Sequence, residues 1–242
     1  MITKHTIEDI ASWLKYNVES ANSKGVVFGL SGGIDSAVIA GISKLAFPDT
    51  SLGIIMPIHS NPKDEIDARI VSDSLRLNIE KVDLSKTYDE LINSSFSGSN
   101  LLAKSNIKPR LRMTTLYYYA QELGYLVLGS SNKSEFHIGY FTKWGDTGSD
   151  LMPLANFTKT EVFQIASLLN IPEEIINKKP SAGLWEGQTD EDEMGFTYEV
   201  LDSVILNDAA NNDFIENIRK KNKNSEHKRK MPLIYESNWR KF

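Results

Sequence analysis

An apolar run, Val26-Val27-Phe28, breaks at Gly29 into Leu30-Ser31-Gly32-Gly33-Ile34-Asp35-Ser36 and resumes as Ala37-Val38-Ile39-Ala40. β-Branched and aromatic residues ending at paired glycines, then an apolar helical pattern, read as strand, tight turn and helix N-terminus. That geometry points backbone N–H groups and the positive end of a helix dipole at one place, where an anion fits. Gly32 and Gly33 carry no Cβ, so the chain can turn with φ > 0 and approach a phosphate closely. Ser31 and Ser36 add hydroxyl donors. Asp35 places a carboxylate beside the anion site, which is reasonable if a divalent cation bridges it to phosphate.

The loop lacks the lysine of Gly-x-x-x-x-Gly-Lys-Ser/Thr and the spacing of Gly-x-Gly-x-x-Gly. Ser-Gly-Gly-x-Asp-Ser after a buried strand instead resembles the pyrophosphate loop of the N-type ATP pyrophosphatases, which split ATP between its α and β phosphates and adenylate a substrate. The competing reading is a plain Ser/Gly turn whose Asp35 merely favours the helix dipole. The strand–helix context weighs against it.

A chain of 242 residues is long enough for one substantial α/β domain, and residues 1–242 read as a single domain. No apolar run approaches a membrane span, and Met1-Ile2-Thr3-Lys4-His5 does not resemble a secretion signal; the expectation is a cytoplasmic protein without membrane contact. A net charge of −5 argues against nucleic acid as the main partner. Cysteine is absent, which excludes disulfides, thiolate zinc sites and a cysteine-nucleophile glutaminase within this chain. Any nitrogen used must arrive as ammonia or from another polypeptide.

Strand-like and helix-like segments alternate along the chain. A helix at Ile7–Ser20 precedes strand one, Val26–Leu30; a helix from Asp35 to Leu45 leads to strand two, Leu52–Met56. Pro62 opens a helix with Ile66, Ile70 and Val71 on one face, followed by strand three, Ile79–Leu84. A helix over Leu111–Leu123 precedes strand four, Tyr125–Leu128, and Leu151–Leu154 is a candidate fifth strand. Thr158 and Glu161 form a capping box opening a helix to Leu169, and helical stretches near Tyr198–Leu206 and Phe214–Lys223 follow. The fold class is α/β, a doubly wound parallel five-stranded sheet. Right-handed crossovers give the order 3-2-1-4-5. Its topological switch lies between strands one and four, where such sheets bind ligands. The loops there are Gly29–Ser36 and Gly129–Glu135.

Those two loops, together with Arg110-Leu111-Arg112-Met113, Gly139–Asp150, Thr158-Lys159, Lys179–Trp185, Gly187–Glu193 and Glu226-His227-Lys228, resemble the ammonia-dependent NAD synthetases through almost the whole chain. The resemblance implies an adenine nucleotide alpha hydrolase-like fold. It also implies an amide-forming ligase of NAD biosynthesis that uses ATP, magnesium and ammonia to amidate nicotinic acid adenine dinucleotide (deamido-NAD) through an adenylated intermediate, releasing AMP and pyrophosphate. It places ATP on Gly29, Leu30, Ser31, Gly32, Gly33, Ile34, Asp35, Ser36, Ser130, Lys159 and Ser181. It places deamido-NAD on Arg110, Lys143, Asp150, His227 and Lys228, and magnesium on Asp35 and Glu135. It also implies a homodimer with the dinucleotide at its interface, while Tyr117, Tyr118 and Tyr119 read as helix packing.

Read locally, several of these residues have plainer roles. Glu135 reads as a solvated helix-start acid. Lys159 opposes the dipole of its helix, a misplacement that hints at a task elsewhere. Asp190–Glu193 reads as a solvated helix start, and the basic run Lys220–Lys230 as a solvated or nucleic-acid-attracting run. Pro180, Gly183 and Gly187 suit a closing flap around Ser181–Gly187. Rival functions are a GMP synthetase-like amidator, a tRNA-modifying adenylating enzyme and a nucleotide-sensing module without turnover.

Overall fold

The computed structural model describes residues 2–95, 97–181, 189–207 and 214–235. The elements run α1 (Lys4–Ser20), β1 (Gly25–Gly29), α2 (Ile34–Ala46), β2 (Ser51–Ile55), α3 (Pro62–Leu75), β3 (Asn78–Lys81) and α4 (Ser85–Ser94). They continue through α5 (Leu101–Ser105), α6 (Ile107–Leu123), β4 (Tyr125–Leu128), α7 (Lys133–Ile138), α8 (Lys159–Leu168) and α9 (Glu173–Ile176). The chain closes with α10 (Asp190–Met194), α11 (Tyr198–Asn207), α12 (Ile215–Asn224) and a 3-10 turn, Glu226–Lys228.

The alternation along β1 divides the core. Val26 and Phe28 face one side of the sheet, joining Leu14 and Val18 of α1, the buried length of α2, and Val162 and Ile165 of α8. Val27 faces the other side, with Ile54, Val127 and the Met113, Leu116 and Ala120 stripe of α6. Period-two strands feeding opposite faces are what a doubly wound sheet requires. α1 shows the helical counterpart: Thr3 caps it, and Ile7, Ile10, Ala11, Leu14 and Val18 form its buried stripe. Leu14 and Val18, fully buried, each contribute about 1.5–3 kcal/mol. A third cluster lies beyond the sheet, where α7, α10, α11 and α12 enclose Ile138, Met194, Tyr198, Leu201 and Ile218.

The sheet is parallel and four-stranded, in the order β3-β2-β1-β4. The five-strand expectation is corrected at its last strand. Leu151 makes one parallel bridge with Leu128, and the chain then turns, with Ala155 N–H bonded to the Met152 carbonyl and Phe157 N–H to that of Leu154. Pro153 has no N–H to extend a ladder. A side chain takes over part of the missing pairing, for the Asp150 carboxylate accepts the Val127 N–H at 2.8 Å. The α3 face is also corrected: Asp67, Ala68, Val71 and Ser72 are buried, whereas Ile66 is 57% exposed. The helix is turned so that Asp64 and Asp67 lie under Gly32. No helix among the described residues is long and apolar enough to cross a membrane.

Candidate active site

The crevice lies past the carboxyl ends of β1 and β4. Leu30 extends the β1–β2 ladder by one bond, its N–H donating to the Ile54 carbonyl, and both Leu30 and Ile34 are buried anchors. Between them Gly32 turns at φ 77°. A side chain at Gly32 would meet the Asp64 carbonyl oxygen at 2.5 Å, so the turn is packed as well as bent. The Ser36 hydroxyl donates to the Gly33 carbonyl at 2.9 Å and accepts the Ser31 N–H at 3.2 Å, while the two serine hydroxyls lie 3.0 Å apart. Gly33 starts α2 with no side-chain cap, which leaves the first N–H groups and the dipole of a buried helix directed at the crevice.

Asp35, in the first turn of α2, accepts from Asn132 Nδ2 at 2.9 Å and from Lys159 Nζ at 2.5 Å. Asn132 opens α7 in a capping box with Glu135. Glu135 Oε2 takes the Asn132 N–H at 3.4 Å, while Oε1 faces Lys159 Nζ at 3.4 Å and the Tyr198 hydroxyl at 3.3 Å. Lys159 is 1% exposed. Its helix starts as read from sequence, with Thr158 and Glu161 in the capping box. Asp202 braces the assembly from α11, accepting from the Ser134 hydroxyl and, at 2.8 Å, from the Thr160 N–H.

The electrostatics follow from burial. The Glu135 carboxyl is pushed up to about 8, by burial first and the Asp35 charge second, with the Lys159 ammonium pulling it down. Burial alone would lower the Lys159 pKa, but Asp35 and Glu135 more than offset it and hold the ammonium protonated. Asp190 is 4% exposed and is raised by burial. It accepts from the Tyr198 hydroxyl at 2.9 Å and from the Tyr140 hydroxyl at 3.2 Å. The Tyr198 hydroxyl thus lies between two acid groups, 2.9 Å from Asp190 Oδ2 and 3.3 Å from Glu135 Oε1. The site gathers three acid groups around one ammonium, a distribution that receives positive charge readily.

The five residues expected on the dinucleotide fall in two places. Arg110 donates to the Lys143 carbonyl at 3.1 Å, and Lys143 Nζ donates to the His227 carbonyl at 2.6 Å. Lys228 Nζ donates to the carbonyls of Gly139 and Phe141, each at 2.9 Å. The His227 ring is exposed. Asp150 instead joins β4 to α6, taking the Tyr117 hydroxyl at 2.9 Å as well as the Val127 N–H. An open groove of about 510 Å³ runs between Arg110, Met113, Tyr117 and Trp144.

Ser130 is half-buried in the loop after β4, and Ser181 is exposed beyond Pro180. The rest of the Ser181–Gly187 flap lies outside the described residues. Sequence reasoning missed Asp190 and Tyr198. The reading of Asp190 as solvated is corrected, because tyrosines from positions 140 and 198 cover it. No local pattern announces either contact.

A family model described as NAD synthase matches residues 6–232. A protein of Finegoldia magna named NH(3)-dependent NAD(+) synthetase is 60% identical over 235 residues, 97% of each chain. Among solved structures, an NMN synthetase from Francisella tularensis superimposes with a TM-score of 0.93 at 36% identity, covering 97% of this chain and 99% of its own. An NH3-dependent NAD synthetase from Campylobacter jejuni gives 0.82 at 31% identity, covering 98% and 100%.

Proposed function

Because the chain belongs to the NAD synthase family, we propose that the crevice between β1 and β4 carries the family's ammonia-dependent reaction on Asp35, Glu135, Lys159 and the Gly29–Ser36 loop. The reaction is the ATP-dependent amidation of deamido-NAD by ammonia, giving NAD, AMP and pyrophosphate. The observation that carries the residue assignment is the meeting of Asp35, Glu135 and Lys159, from three separate elements, at the switch crevice.

The nicotinate carboxylate is a poor electrophile until activated. Its oxygen attacks the α-phosphorus of ATP and pyrophosphate leaves, giving a mixed anhydride. Ammonia then attacks the acyl carbon, AMP leaves, and a proton is lost from nitrogen. The uncapped start of α2 holds phosphate oxygens on its N–H groups, with the Ser31 and Ser36 hydroxyls keeping the loop in shape. Lys159, released from Asp35 as nucleotide enters, stabilises charge developing on the departing pyrophosphate. Ser130 and Ser181 complete the nucleotide contacts.

Asp35 and Glu135 would hold magnesium. Both are oxygen donors in reach of one nitrogen, and a hard dication suits them. No cluster of three or more metal-ligating side chains occurs among the described residues, which fits an ion that completes its shell with phosphate and water oxygens. When bound, magnesium neutralises phosphate charge.

Arg110, Lys143, Asp150, His227 and Lys228 take the dinucleotide, beside the groove at Tyr117 and Trp144, and a second copy of the chain covers that groove in a homodimer. Small water-soluble substrates support a cytoplasmic location.

The test is an assay of NAD and AMP formation from ATP, ammonium and deamido-NAD, with xanthosine monophosphate and nicotinic acid mononucleotide in parallel arms. NAD and AMP formed in equal amounts support the reading, and turnover only with another acid refutes it. The mononucleotide arm matters because the 0.93 superposition is on a protein named NMN synthetase. Light scattering tests the dimer: a monomer at assay concentration overturns it.

A further inference from the structure

Tyr198 opens α11, far in sequence from every loop of the crevice, yet it is 4% exposed and touches the acid–lysine cluster. Its backbone N–H donates to Glu191 Oε1 at 2.9 Å, and its ring packs in the third core cluster with Met194, Phe196 and Leu201. The ring is therefore held from behind. Its face lies under Lys159, with Nζ 4.9 Å from the ring centroid. Its hydroxyl stands 3.3 Å from Glu135 Oε1 and 2.9 Å from Asp190 Oδ2.

A phenylalanine would satisfy the packing alone, without burying a hydroxyl that must find partners. The hydroxyl is shared between Asp190 and Glu135. With the Asn132 N–H on Oε2 and the phenol on Oε1, both oxygens of that carboxylate are fixed. The ring face confines the Lys159 ammonium, an attraction worth more where water is excluded.

We propose that Tyr198 is a positioning residue that holds Glu135 and Lys159 in place for the metal–nucleotide complex, with Asp190 holding Tyr198 in turn. The proposal rests on the assignment of Asp35 and Glu135 to magnesium made above. It separates two contributions of one side chain: the hydroxyl sets the metal ligand, and the ring sets the lysine.

Tyr198→Phe and Tyr198→Leu test it, with manganese as the metal probe and a non-hydrolysable ATP analogue as the nucleotide. Manganese affinity is read by electron paramagnetic resonance on the full chain, and melting temperature is recorded alongside. Tyr198→Phe is expected to melt with the wild type and to bind manganese about fivefold more weakly, the loss of one net hydrogen bond. The magnesium concentration for half-maximal activity rises by the same factor, and KM for ammonium stays unchanged. Tyr198→Leu is expected to weaken analogue binding as well, which Tyr198→Phe leaves near wild type. Unchanged manganese affinity in Tyr198→Phe overturns the proposal. So does a uniform loss of melting temperature, metal and nucleotide binding in that variant, which is the mark of a merely structural residue. Wild-type manganese and analogue binding is measured without deamido-NAD. A wrong acid substrate therefore shows as normal binding with no NAD, distinct from failure of the Tyr198 assignment.

Discussion

Gly32→Ala, measured against Gly33→Ala, separates the packing of the glycine loop from its openness. Gly32 turns at φ 77°, and an added Cβ would lie 2.5 Å from the Asp64 carbonyl oxygen and 2.8 Å from the Asp67 Cβ. An alanine pays about 1–2 kcal/mol for the left-handed backbone, and displacing packed backbone costs about 1–3 kcal/mol more. Restricting the unfolded chain returns about 0.4–1 kcal/mol. The net loss is about 1–4.5 kcal/mol, which for a chain of this length lowers Tm by on the order of 10 °C. Gly33 differs: its φ is −94°, and an added Cβ would meet only the Ser31 hydroxyl oxygen, at 3.4 Å. Gly33→Ala should therefore melt within about 2 °C of the wild type, while its methyl group at the uncapped start of α2 weakens ATP binding. The assay is differential scanning calorimetry of the nucleotide-free protein, paired with ATP titration. A Gly32→Ala protein that melts with the wild type, or a Gly33→Ala protein that melts as low as Gly32→Ala, refutes the reasoning.

Lys159→Met leaves the half-buried Asp35 and Glu135 without their cation and should destabilise the free protein by about 1.5–3 kcal/mol; magnesium should then raise its Tm more than it raises the wild type's, and equal shifts would contradict the cluster. Asp150→Ala orphans the Val127 N–H and the Tyr117 hydroxyl, an expected loss of about 1–3 kcal/mol in urea unfolding, and a wild-type midpoint would deny its bridging role. Asp146 is raised to about 6, chiefly by burial, from an ordinary 3.8. Between those values the folded chain holds a proton that the unfolded chain has lost, so this group's contribution to stability is greatest below 3.8 and declines as pH rises through 6. Asp146→Asn should therefore gain on the wild type by about 1–3 kcal/mol from pH 4 to pH 7, and a difference independent of pH would refute the shift.

The parts of this fold that are legible in sequence are those written in local pattern. The strand, glycine turn and helix over Gly29–Ser36, the order of the first four strands and the Thr158–Glu161 box each depend on residues within a few positions of one another. The fifth strand failed because Leu151–Leu154 has a strand's composition while its neighbours supply a carboxylate in place of a ladder. Of α7 only the start at Glu135 was legible, because its 6 residues are too few for a period to show. Ile66 misled because α3 turns its acidic residues toward the glycine loop, a preference set by partners from elsewhere in the chain. Asp190 shows the same limit. A run of four acids at a helix start reads as solvated, and only the tyrosines that fold over it make the first of them part of the site. Lys159 was legible through its misfit: a lysine against its own helix dipole needs a counter-charge from outside.

The contacts that complete the crevice close large loops: Lys159 reaches Asp35 across 124 positions, and Tyr198 reaches Glu135 across 63. Closing loops of that size costs entropy before any contact repays it. A chain growing from its N-terminus thus holds the glycine turn before α8 brings Lys159 to Asp35 and α11 brings Tyr198 to Glu135, so a chain cut short of α8 carries Asp35 without its cation.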